Sequence, residues 1–104
     1  MSRRSGTPEL TVISWRDIPA QVTARTGRQT VKRALPSRFQ VAIDRAAMVA
    51  GLADADDYLT EWRRETRPCD GDLEGAVAAE ADRIVSTFTQ DLLNSVANNG
   101  GHFV

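Results

Sequence analysis

Two hydrophobic rhythms divide this chain near Pro36, one of period two and one of period near 3.6, and no single regular structure satisfies both. Leu10-Thr11-Val12-Ile13-Ser14-Trp15-Arg16 is β-branched and aromatic. Its alternation places Leu10 and Val12 on one side and Ile13 and Trp15 on the other, which predicts a strand covered on both faces. Asp17-Ile18-Pro19 breaks the run, because proline has no N–H to continue a ladder. Ala20 to Arg25 reads as a second strand, antiparallel to the first. Thr26-Gly27-Arg28 is a turn candidate, since Gly27 can take positive φ. Gln29 to Leu35 fits either a third strand or a short helical turn, and Pro36 tips it towards strand by disfavouring helix at Leu35.

Beyond Pro36 the spacing turns helical. Phe39, Ile43, Ala46, Ala47 and Ala50 fall three or four apart, which predicts a helix from Pro36 to about Ala50, stopped by Gly51. Asp54, Asp56 or Asp57 can cap a short second helix, with Tyr58 and Trp62 four apart on one face. Thr66 to Gly71, interrupted by Pro68, reads as a loop. Leu73, Val77, Ile84, Phe88, Leu92 and Val96 form a last apolar stripe, capped by Asp70 or Asp72 and ended by Asn98-Asn99-Gly100-Gly101. The expected fold class is α+β. A short antiparallel β-hairpin or three-stranded sheet packs against two to three helices, and the C-terminal helix is the longest. Residues 9–98 make one domain, with flexible tails at 1–8 and 99–104.

A chain of 104 residues suits a single domain, and 26% charged with 41% hydrophobic residues is a globular composition. The charges are segregated. Residues 1–45 hold nine Lys/Arg against three Asp/Glu, and residues 46–104 hold four against eleven. Such halves can attract within the fold or between copies, which leaves room for a homo-oligomer; the plainer reading is two solvated faces of different sign. Cys69 stands alone, which points to a reducing compartment. No stretch approaches the ~18 apolar residues of a membrane span, and no apolar run follows Arg3 and Arg4. A cytoplasmic protein with no membrane contact is expected.

Chemistry-bearing motifs are scarce. The chain has no G-x-S-x-G, P-loop or G-x-G-x-x-G, and its single histidine, His102, argues against a histidine triad or multi-histidine metal site. The acidic groups at 54–57 and 70–74 lack EF-hand spacing and suit helix capping. Neither a cofactor nor a metal is expected. Asp70 should raise the Cys69 thiol pKa while Arg63, Arg64 and Arg67 oppose it, and an inert loop cysteine is the plainer reading. Arg25, Arg28, Lys32, Arg33, Arg38 and Arg45 form a basic segment that could meet an acidic protein surface or a phosphate-bearing ligand. Only Phe39 lies among them as a stacking platform, so a nucleic-acid partner is disfavoured. In Trp15-Arg16-Asp17-Ile18-Pro19, Arg16 and Asp17 either face a partner from a presented loop or pair locally beside a buried Trp15.

Several runs resemble a known family. They are Val12-Ile13-Ser14-Trp15-Arg16-Asp17-Ile18-Pro19-Ala20-Gln21-Val22, Leu35-Pro36-Ser37-Arg38-Phe39, Ala42-Ile43-Asp44-Arg45-Ala46-Ala47-Met48, Tyr58-Leu59 and Trp62-Arg63-Arg64. Together they resemble the small bacterial "virulence factor" domain family over about residues 10–96. The resemblance implies no reaction, cofactor or catalytic residue. The metabolic context it implies is proximity to folate- and corrinoid-dependent methyl-transfer genes.

The expectation that follows is a non-catalytic accessory or adaptor domain that binds another protein, with one-carbon metabolism as its setting. Its candidate binding residues are Arg16, Asp17, Arg28, Lys32, Arg33 and Arg38. The alternative is a binding module for a phosphate- or carboxylate-bearing small molecule. A small carboxylate-dependent enzyme using Asp17 and Asp44 comes last.

Overall fold

The computed structural model describes residues 7–52 and 54–103. The period-two region folds as β1 (Glu9–Trp15), β2 (Ile18–Thr26) and β3 (Gln29–Ala34), so the segment after Gly27 is a strand. Helices α1 (Ser37–Val49) and α2 (Ala55–Leu59) follow, then β4 (Trp62–Pro68), α3 (Leu73–Thr87) and α4 (Gln90–Asn98). The fold is α+β, as the two rhythms require. Its sheet has four strands in the order β3-β2-β1-β4, and every neighbouring pair is antiparallel.

Strand β4 corrects two expectations, since Trp62 is not helical and residues 66–68 are not loop. The segment Trp62-Arg63-Arg64-Glu65-Thr66-Arg67-Pro68 has one large apolar residue and no apolar alternation. It becomes a strand because β1 supplies a partner along its whole length, from Glu9 opposite Pro68 to Trp15 opposite Trp62. Facing hydroxyls of Thr11 and Thr66 stand 2.9 Å apart across the pair. Pairing chosen by the rest of the fold outweighs local propensity here.

The second strand starts at Ile18 rather than Ala20, so Pro19 lies inside β2, at a bulge. Gln21 pairs with Ile13 and Pro19 with Ser14, so Ala20 is the extra residue. Pairing with β3 begins only at Gln21, so the missing proline N–H falls before the doubly bonded part of the strand.

The sheet has two unlike faces. Leu10, Val22 and Ala24 are buried on the inner one, where α3 lies against β2 and β3. On the outer face Thr11, Ile13, Gln21, Thr23 and Lys32 line a shallow depression of about 340 Å³. Helix α1 packs on α4 and buries Phe39, Ala42, Ile43, Ala46 and Ala47.

The expected single helix over 72–96 is two helices. Phe88 leaves helical geometry at φ −92 and ψ 78, and the Thr89 side chain caps α4 by accepting from Leu92 N at 3.2 Å. The break resets the phase, so Leu93 rather than Leu92 is fully buried. Asp72 caps α3 by accepting from Gly75 N, as a carboxylate at a helix start should. Asp54 occupies the equivalent position of α2 without a side-chain cap bond.

The expected C-terminal tail is docked as far as Phe103. Gly100 and Gly101 are buried, and Gly101 O accepts from Asp17 N at 2.8 Å. Residues 1–6 and 104 of the expected tails lie outside the described residues. Among the described residues no helix is long and apolar enough to cross a membrane.

Candidate functional site

The β1–β2 connection is only two residues long, and Arg16 adopts φ 52 to make it. Left-handed backbone costs a non-glycine residue about 1 kcal/mol, so the surroundings must hold it. They do so from two directions. Arg16 N donates to Glu61 O and Arg16 Nε to Glu61 Oε1, which ties the turn to the start of β4. Arg16 Nη1 donates to Gly100 O at 3.0 Å, and the guanidinium lies 5.2 Å from the centroid of the Trp15 ring. Asp17 is held as firmly, with Oδ2 accepting from Phe103 N at 2.9 Å and Oδ1 3.6 Å from Arg63. His102 Nδ1 stands 3.8 Å from the same carboxylate.

Beneath this turn Trp15 is fully buried. Its indole N–H donates to Tyr58 O at 2.8 Å, its ring stacks on Tyr58 at 5.6 Å, and Tyr58 meets Trp62 edge-on at 5.9 Å. The buried Trp15 agrees with one of the two sequence readings of this stretch, but Arg16 and Asp17 pair with Glu61, Gly100, Arg63 and Phe103 rather than locally. Trp15 is core, and Arg16 and Asp17 are pinned above it at the rim of a cleft.

That cleft has a volume of about 700 Å³ and lies between β1, β4 and α3. Apolar atoms come from Val12, Pro19, Ile84, Phe88 and Phe103, and cations from Arg16, Arg63, Arg67 and Arg83. Glu80 lies at its base, 4% exposed, the sole buried charged side chain among the described residues. Arg67 Nη2 donates to Glu80 Oε1 at 2.7 Å, and Arg83 forks onto both carboxylate oxygens through Nε and Nη2. The hydrogen bond from Arg83 is the largest influence holding the Glu80 pKa below its ordinary value; burial opposes it and Arg67 reinforces it. Glu80 in turn holds Arg83 still more firmly protonated.

Two guanidiniums thus share one carboxylate, and both stay largely exposed, at 56% for Arg67 and 62% for Arg83. Each guanidinium carries five donors, so unshared N–H groups of both remain at the cleft. A buried acid that fixes two exposed cations holds their remaining donors in place, a geometry that suits an oxyanion.

The six sequence-derived candidates do not converge. Arg16 and Asp17 line the cleft. Arg28 is exposed on the β2–β3 turn, Lys32 lies on the outer face and Arg33 is exposed on β3. Arg38 has a structural duty. Its Nη2 donates to Val85 O and Phe88 O, closing the end of α3, and its guanidinium lies over Phe39. Asp44 is exposed on α1, accepts from Gln40 and does not line the cleft.

Sequence reading missed Arg67, Glu80 and Arg83 as a group. One signal was present, because Glu80 falls three after Val77 and four before Ile84, inside the apolar stripe of α3. A charge at such a position needs a partner when the stripe is buried. Burial is the leading reason that the Cys69 thiol pKa is raised, followed by Asp70 and against the opposing pull of Arg67, so Cys69 is a poor nucleophile. Among the described residues no group of three or more His, Cys, Asp or Glu is placed to hold a metal ion.

The family described as Virulence factor matches residues 13–96, a span that runs from the Ile13 end of β1 almost to the end of α4. This chain belongs to that family. The match takes in the Arg16-Asp17 turn, all of β4 and the Glu80 cluster, so the cleft of this virulence factor domain lies almost wholly within the family region. No curated protein and no solved structure matches the chain.

Proposed function

We propose that this domain is a non-catalytic accessory module that binds another protein through the cleft beside β4. The observation that carries the reading is the pair of exposed guanidiniums of Arg67 and Arg83 held over buried Glu80, in a cleft that Val12, Ile84, Phe88 and Phe103 also line. Arginine beside apolar surface is the composition from which interface hot spots are drawn. Enzymes of folate- and corrinoid-dependent methyl transfer are the first partners to test.

Affinity capture with the wild-type chain and with an Arg63→Ala/Arg67→Ala variant tests the reading. The expected outcome is a stoichiometric partner retained by the wild type and lost by the variant, with both folded by circular dichroism. Equal retention by the two proteins, or no stoichiometric partner at all, would count against it.

A second reading, a receptor for a carboxylate- or phosphate-bearing small molecule, has the cleft volume in its favour, since about 700 Å³ lies within the range of ligand pockets. Thermal-shift measurements against folates, nucleotides and acidic metabolites decide it. A specific ligand raises the midpoint with concentration, and a flat response across the panel retires the idea.

A further inference from the structure

We propose that the free edge of β4 takes an acidic, extended segment of the partner as a fifth, antiparallel strand, with carboxylates seated on Arg63 and on the Arg67–Arg83 pair. The inference rests on the protein-binding reading above and gives the partner its chemistry.

Strand β4 is an edge of the sheet, bonded to β1 on one side only. In an antiparallel edge strand alternate N–H and C=O groups face outward. Among the described residues no backbone hydrogen bond outside the β1 ladder engages residues 62–68. Residues 63–68 are all exposed, so among the described residues neither a helix nor a loop covers that edge. An exposed edge of this kind is the structural requirement for strand addition.

The side chains on this edge specify what could be added. Arg63, Glu65 and Arg67 alternate on the cleft side, and Arg64 lines the outer depression. Arg63 and Arg67 are four residues apart, about 13 Å at ~3.3 Å per residue. Arg83, sharing Glu80 with Arg67, adds a second cation at one end of the row. The other edge, β3, is also exposed, but its cations Lys32 and Arg33 are neighbours in sequence and point to opposite faces, so they form no such row.

Every neighbouring pair in this sheet is antiparallel, so the added strand should run antiparallel to β4. Cross-strand pairing then dictates its sequence. Positions opposite Arg67, Arg64 and Arg63 call for acids, the position opposite Glu65 for a base, and the position opposite Thr66 for a β-branched residue. Read along the incoming strand, the pattern is Glu-Thr-Lys-Glu-Glu.

A blocked, fluorescent peptide of about nine residues with that central pattern is the probe. Fluorescence anisotropy should show saturable binding that weakens in about 0.5 M salt. Arg63→Ala/Arg67→Ala should weaken it by about tenfold. Two further peptides carry N-methyl groups on alternate residues, one on the odd set and one on the even set. Strand addition requires that one set abolish binding and the other leave it intact. Equal affinity of the two would mean charge attraction without a ladder and would overturn the proposal. Tighter binding by the reversed sequence would overturn the antiparallel register. A partner captured in a cleft-dependent manner, together with peptides that do not bind, would sink this inference and leave the protein-binding reading standing.

Discussion

Glu80 carries its charge where burial opposes it, and two guanidiniums keep it ionised. Its folded pKa is depressed below the unfolded value of about 4.3. The stability it contributes is therefore present above that unfolded value and is lost as pH falls through the folded one. Glu80→Gln should lower stability at neutral pH by about 1–3 kcal/mol, because both arginines lose a charged acceptor. Denaturant midpoints measured from neutral to acid pH provide the check. The wild type should lose stability more steeply than the variant on acidification, and parallel curves would show that Glu80 is not a linked group. Arg16 and Arg38 illustrate how differently two arginines from one basic half are used. Arg16 stabilises a left-handed turn at the cleft, and Arg38 closes a helix end. Residue type gave both as candidate binders, and only their hydrogen-bond partners separate them.

Among the elements, β2 and α1 were legible because burial follows their own periodicity, and β1 because of its β-branched and aromatic content, since its burial does not alternate. Val22 and Ala24 alternate inward, and Phe39, Ile43, Ala46 and Ala47 repeat at helical spacing. Strand β4 was illegible because its residues are exposed and its conformation is imposed by pairing with β1. The break between α3 and α4 was hidden for another reason, since an apolar stripe continues in sequence across Phe88 and Thr89. The signal that marks the break is a cap residue, Thr89, and caps are weak signals inside a long apolar pattern. Thr89→Ala removes the acceptor for Leu92 N and should cost about 1 kcal/mol. Chemical denaturation should show a lower midpoint with an unchanged slope; an unchanged midpoint would mean that tertiary packing alone sets the start of α4.

At the scale of the whole molecule, the site depends on contacts far apart in sequence. The Arg16-Asp17 turn is completed by Glu61 and by residues 100–103. The segregated charges meet there, since Arg16 of the basic half pairs with Glu61 of the acidic half, while Asp17 and Arg63 pair in the opposite sense. Gly101 makes this closure sterically feasible. Its φ is +96, and a Cβ there would stand 3.0 Å from the Trp15 ring and 3.3 Å from the Arg16 side chain. Gly101→Ala should therefore destabilise the fold by about 2 kcal/mol. It should also shift the amide resonances of Arg16 and Asp17. A variant as stable as the wild type, with those resonances unmoved, would show that the segment does not brace the turn.

The sequence alone determined the fold class, the first two strands, the start of α1 and the family resemblance. These follow from local periodicity and from side-chain chemistry that acts within a few residues. Tertiary structure decided that Trp62–Pro68 is a strand, that Glu80 gathers Arg67 and Arg83, and that residues 100–103 brace the first turn. Each of these joins residues distant in sequence, and pairing at a distance leaves no period for a linear reading to find.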